Sequence, residues 1–167
     1  MSSRAVSSHL AGSDLAARAI ALLIAREQTV GTAESLTGGL VAAALTTVPG
    51  ASAVFRGGII AYAADVKVSL LAVPGALIDR VGTVHRDVAI AMAAGARQRL
   101  DAAVGLATTG VAGPDPVDGR PVGTVHVAVS TAAGPVHRQL RLVGDRDQIR
   151  NETVREVLGM LMAVLAD

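Results

Sequence analysis

A chain of 167 residues is long enough for one domain with a substantial core, and its net charge of +1 points neither to a nucleic-acid surface nor to an acidic partner. It has no cysteine, which excludes disulfides, thiolate catalysis and Cys-ligated zinc. Although 51% of the residues are hydrophobic, no apolar run reaches the ~20 residues of a membrane span, and the small, polar opening lacks a signal-peptide core. Residues 1–12 therefore read as a flexible tail, residues 13–167 as a single domain, and the protein as cytoplasmic.

Residues 14–27 place Leu15, Ala19, Leu22 and Leu23 at helical spacing behind Ser13 or Asp14 as cap. Residues 28–33 read as a strand, and residues 37–47 as a helix stopped by Pro49-Gly50. A second strand over 55–63 contains Gly57-Gly58, a pair that marks a bulge or a close backbone approach. Short helices follow at 65–72 and 74–80, then a clear one at 85–100 with Val88, Met92 and Ala96 on one face. Residues 103–108 are small and apolar enough for a strand buried on both faces. Beyond a Gly/Pro/Asp loop at 109–121, residues 122–131 and 136–143 form a hairpin around Ala133-Gly134, and 145–165 a long C-terminal helix. Helices alternate with strands until that hairpin, which predicts an α/β fold, a three-layer α/β/α sandwich with a mixed sheet.

Three stretches end predicted strands in polar or glycine-rich turns: residues 34–39, 62–67 and 108–113. Ligands of open α/β sheets sit beyond the strand carboxyl ends, so Ser35, Tyr62, Lys67 and Thr109 are expected at one pocket. Ser35 can serve as a nucleophile there, beside backbone N–H groups of a helix start; the plainer reading makes Ser35 or Thr37 an N-cap. Lys67 stands out for a compositional reason. Of 15 cationic residues it is the single lysine; the other 14 are arginine. Arginine cannot be deprotonated in a protein, whereas a desolvated lysine becomes a neutral amine base. A coding bias toward arginine that spares one lysine by chance is the competing explanation. Glu34 and Asp65 are a conceivable acid–base couple, but solvated or capping carboxylates are commoner. His9, His85, His126 and His137 lack metal-ligand spacing; His85 reads as a helix cap and His126 as a surface or hairpin residue.

The blocks Thr32-Ala33-Glu34-Ser35-Leu36-Thr37-Gly38-Gly39, Pro49-Gly50-Ala51-Ser52 and Gly57-Gly58-Ile59-Ile60-Ala61-Tyr62 are followed by Lys67 and Leu70-Leu71-Ala72-Val73. Further on come Thr109-Gly110-Val111-Ala112-Gly113-Pro114, Pro121-Val122-Gly123-Thr124-Val125, and Gly144-Asp145-Arg146 with Ile149-Arg150. In this order they resemble the CinA C-terminal domain family, which includes nicotinamide-nucleotide amidases, in its stand-alone form. The resemblance implies an amidohydrolase that converts nicotinamide mononucleotide and water into nicotinic acid mononucleotide and ammonia. It implies Ser35 as nucleophile, Lys67 as its base, Tyr62 as proton-transfer or orienting group, and Thr109 as support. It implies substrate contacts at Glu34, Leu36, Thr37, Gly38, Gly39, Gly110, Ala112, Gly113 and Arg146, the last a candidate for the substrate or its phosphate. It implies no metal or organic cofactor, no nucleic acid or membrane partner, and a homodimer.

Three positions depart from the family pattern. Leu36 stands where relatives often have cysteine, Asp115-Pro116 where they have a glycine pair, and His85 where they have a capping serine. The Pro116 ring removes an N–H and stiffens that loop. Two other functions stay open on the sequence: a pyridine-nucleotide-binding or competence- and damage-linked module without turnover, and an amidase for a different small amide.

Overall fold

The computed structural model describes residues 3–166, with side-chain environments from Ser13 onward. The chain runs α1 (Ser3–Ala25), β1 (Val30–Glu34), α2 (Leu40–Thr46), a 3-10 turn (Ala51–Ala53), β2 (Phe55–Ile60), α3 (Ala64–Leu71) and α4 (Gly75–Val81). It continues with α5 (Arg86–Arg99), β3 (Val104–Gly110), β4 (Thr124–Thr131), β5 (Gly134–Arg141) and α6 (Arg146–Ala166). Met1, Ser2 and Asp167 lie outside the described residues; from Ser3 the backbone of the segment read as a tail continues α1. Among the described residues no helix is long and apolar enough to cross a membrane.

The strands form one mixed sheet in the order β2-β1-β3-β4-β5. β1 pairs parallel with β2 and with β3, while β3–β4 and β4–β5 are antiparallel. This is the α/β/α sandwich expected. The β2 register slips between Val30 and Gly31, so the bulge signalled by Gly57-Gly58 is present. Because the three parallel strands point the same way, the turns after Glu34, Ile60 and Gly110 leave the sheet at one end.

Strand alternation divides the core into two layers. On one face Val30, Val104, Leu106, Val125, Val127 and Val129 meet the apolar sides of α1, α2 and α6. On the other, Ala33, Ala107 and Ala128 meet α3 and α5. The residues contrast in size for a physical reason. Small side chains on the second face let α5 lie almost against the strands, and a Cβ added at Gly105 would run into the Ala93 carbonyl of α5. Likewise a Cβ at Gly95 would strike the Leu71 carbonyl of α3. The second layer is thus thin, and α3 is held close to the sheet end where the turns converge.

Gly105→Ala is expected to lower stability by about 2–3 kcal/mol in urea unfolding, because the added methyl meets backbone rather than a movable side chain. Gly159→Ala, whose Cβ would meet nothing within 4 Å in α6, is expected to raise stability by about 0.5–1 kcal/mol in the same measurement.

Candidate active site

The turn after β1 is built around a buried carboxylate. Glu34, 1% exposed, accepts from the Gly39 and Val41 N–H groups through Oε2, each at 3.0 Å, and from Ala42 N–H through Oε1 at 2.8 Å. Three amides of the α2 start are therefore satisfied by one side chain. This corrects two expectations. Helix α2 begins at Leu40, behind Gly38 and Gly39 with φ of 55° and 102°, so neither Ser35 nor Thr37 is its cap. Glu34 also has both oxygens engaged by backbone, which leaves it a structural cap instead of a substrate contact. The Thr37 hydroxyl pairs with that of Thr108 at 2.7 Å.

Ser35 is left free for another partner. Its N–H extends the sheet ladder to the Thr108 carbonyl at 3.0 Å. Its Oγ lies 3.1 Å from Lys67 Nζ. Lys67 sits on α3 and is 1% exposed, with Nζ also 2.7 Å from the Ala61 carbonyl and 3.0 Å from the Tyr62 carbonyl. Burial pushes its amine down from 10.5 to about 8. Three oxygen acceptors match the three N–H donors of the charged amine, and the same set also serves the neutral form. Two N–H bonds can go to the two carbonyls, and the lone pair is then directed at the serine hydroxyl. Asp65, two residues earlier on α3, is exposed and lies off this contact.

Other expected residues take different places. The Tyr62 side chain is 62% exposed, and its hydroxyl accepts from Arg146 Nη2 at 3.2 Å; only its backbone carbonyl touches Lys67. Of the two roles expected for Tyr62, proton transfer through the hydroxyl is corrected by the direction of its own backbone, which turns the ring outward and the carbonyl inward onto Lys67. Arg146 Nη1 donates to the Gly113 carbonyl at 2.6 Å, so this arginine bridges the loops after β2 and β3. Gly113 precedes Pro114 through a cis peptide. The buried Thr109 hydroxyl donates to the Thr83 carbonyl at 2.9 Å, which ties β3 to the α4–α5 connection. Gly110 packs against Thr124 and Val125, and the Ala112 methyl enters the α1/α2/α6 core layer. Leu36 buries its side chain in that same layer.

One residue of this region had no assigned role in the sequence reading. Arg150 of α6 donates to the Leu36 and Thr37 carbonyls at 2.9 and 3.3 Å. Its presence beside Arg146 in the last matching block was the only signal. His126 is in the hairpin as expected but not on the surface: the residue is 5% exposed, its Nδ1 lies 2.9 Å from His137 Nε2, and its ring centroid is 6.4 Å from that of His85. Its β4 position faces α5 rather than solvent. Burial, then His137, His85 and Arg120, push its pKa down to about 4. His85 does cap α5, accepting from Asp87 N–H at 3.2 Å. Among the described residues no group of three or more His, Asp or Glu side chains is arranged to hold a metal ion.

Glu34→Ala is expected to cost about 3 kcal/mol in thermal or urea unfolding, since it strands three backbone donors at a buried helix end. Because the folded state keeps His126 neutral, its contribution is fully present above pH 6.5 and is lost as pH falls toward 4. Urea midpoints compared across that window for wild type and His126→Phe should show the flatter acid decline in the variant, by at most about 3 kcal/mol.

The family model of the CinA C-terminal domain matches residues 12–165. A CinA-like protein of Frankia casuarinae is 51% identical over 147 residues, covering 88% of this chain and 34% of that protein. A putative competence-damage inducible protein of Desulforamulus reducens is 45% identical over 139 residues, covering 83% of this chain and 34% of its own. The chain thus spans about a third of the length of the curated relatives it matches. Among solved structures, the competence/damage inducible protein CihA from Agrobacterium tumefaciens superposes with a TM-score of 0.90 at 39% identity, covering 94% of this chain and 96% of that one. A CinA superfamily protein from Klebsiella pneumoniae gives 0.90 at 29% identity, covering 93% and 98%. The chain belongs to the CinA C-terminal domain family.

Proposed function

We propose that the protein is a cofactor-free Ser/Lys amidase acting on nicotinamide mononucleotide. The observation that carries this reading is the buried Lys67 amine 3.1 Å from Ser35 Oγ. An amide carbon is a poor electrophile and a serine hydroxyl a weak nucleophile until a base takes its proton. With a pKa of about 8, roughly one Lys67 in ten is neutral at pH 7, enough to act as that base. Ser35 Oγ attacks the amide carbon while its proton passes to Nζ. The oxygen of the tetrahedral intermediate needs donors, and the Leu36 and Thr37 N–H groups donate to no other backbone group among the described residues. Collapse breaks the C–N bond, the Lys67 ammonium returns a proton, and ammonia leaves. Water then attacks the ester with Lys67 again as base, and the acid is released.

The choice of nucleotide rests on the motif resemblance and on Arg146 at the rim, where a guanidinium can trade the Gly113 carbonyl and the Tyr62 hydroxyl for a phosphate. The same bridge favours one rival reading. If Arg146 keeps both partners, the loops stay tied together and the site binds a nucleotide without turning it over.

Purified protein with nicotinamide mononucleotide should release ammonia. Ser35→Ala should lose about a thousandfold or more of kcat. Lys67→Arg should lose as much, because a guanidinium can donate to the two carbonyls but cannot accept a proton. The neutral amine is the active form, so kcat/KM should rise with pH and level off above about 8. Full activity of Lys67→Arg, or a rate that falls as pH rises toward 8, contradicts the mechanism.

A further inference from the structure

Arg150 stands one turn into α6 and reaches the nucleophile turn from the face of the sheet opposite Lys67. Its Nε donates to the Leu36 carbonyl at 2.9 Å and its Nη2 to the Thr37 carbonyl at 3.3 Å. Asp147, one turn back, sits 3.7 Å from Nη1 and steadies the guanidinium. Gly38, next along the turn, has a φ of +55°, a left-handed backbone that favours glycine, and lies against the guanidinium. Two carbonyls of consecutive residues are thus gripped by one planar fork, an arrangement a lysine cannot reproduce.

A trans peptide holds its C=O and N–H in opposite directions. With the Leu36 carbonyl drawn toward α6, the N–H of the same peptide unit, that of Thr37, is turned away from α6. The other side of the sheet holds Ser35 Oγ and Lys67 Nζ. A charged donor on the carbonyl also polarises the peptide, which strengthens its N–H as a donor. We infer that Arg150 is a positioning residue for the reaction, fixing and polarising the Leu36–Thr37 peptide so that the Thr37 N–H stabilises the oxyanion formed at Ser35. The inference rests on the reading of Ser35 as a nucleophile. It assigns the helix α6 a part in the chemistry without any contact to substrate.

The test uses two readouts on the full chain: turnover of nicotinamide mononucleotide, and labelling of Ser35 by a fluorophosphonate followed by mass spectrometry. In the labelling step Ser35 Oγ forms a bond to phosphorus, fluoride leaves, and the hydroxyl proton passes to Lys67. The phosphoryl oxygen then uses the same donors as the amide oxyanion. Arg150→Gln should slow both labelling and kcat by at least about tenfold, with KM within about threefold of wild type. The pH midpoint of labelling, which reports Lys67, should stay where it is. Arg150→Lys should recover part of the rate, and added guanidinium should restore Arg150→Ala, neither of which a packing role predicts. Labelling at the wild-type rate in Arg150→Gln, or a loss expressed only as a higher KM, overturns the inference. Wild type that labels at Ser35 but leaves the nucleotide intact removes the substrate assignment alone. Wild type that does not label at Ser35 removes both.

Discussion

The buried amine of Lys67, held between two backbone carbonyls and one serine hydroxyl, is the contact on which the rest of the site depends. Lowering that amine from 10.5 to about 8 opposes its charged form by about 3 kcal/mol, and the fold must supply that bias by excluding water. Burial is the cause; no neighbouring charge is needed. The means are ordinary. The thin Ala/Gly layer brings α5 against the sheet and α3 against α5, and Lys67 projects from α3 into the space left beside Ala61. The chain past β2 turns the Ala61 and Tyr62 carbonyls back onto Nζ, so the amine is dry but not unpartnered.

Helix α2 contributes less than its position suggests. A strand, a tight turn and a helix start are a familiar way to offer amides to an anion, yet here Glu34 takes those amides itself. A carboxylate at the helix end also cancels the local positive field. On the proposed mechanism the donors for a developing oxyanion come from the turn before the helix, where glycines at 38 and 39 hold a left-handed path. That turn is secured from below by the core packing of Leu36 and from the α6 side by Arg150. The turn is thus supported from the α1/α2/α6 layer, while Lys67 is carried by α3 on the other face of the sheet.

The architecture was readable in the sequence because it follows from periodicity. Alternating apolar runs, a Gly/Pro-rich loop and a terminal strand pair left few topologies open, and boundaries moved by only a few residues except at the start of α1, which begins at Ser3 instead of 14. Lys67 was readable for a different reason: a lone lysine among arginines is visible in composition alone. What escaped was the partner of each polar side chain. Glu34 looked like a site residue, since nothing local says that a strand-end carboxylate will fold back on the next helix. Tyr62 shares a motif with Lys67, but a one-residue change in which group points inward separates a hydroxyl from a carbonyl. The Arg150 contacts cross more than a hundred residues of chain. The burial of His126 follows from which strand pairs with β4 and how α5 covers it, neither of which spacing encodes.

Because the chain has a single lysine, 15N-lysine labelling gives one side-chain amine resonance, and its chemical shift against pH reads the state of Lys67 directly. The account predicts a titration midpoint near 8, displaced toward the ordinary value in a variant that lets water reach the amine. A midpoint at the ordinary 10.5 in the folded protein would contradict it, because an amine charged at every physiological pH cannot take the proton of Ser35.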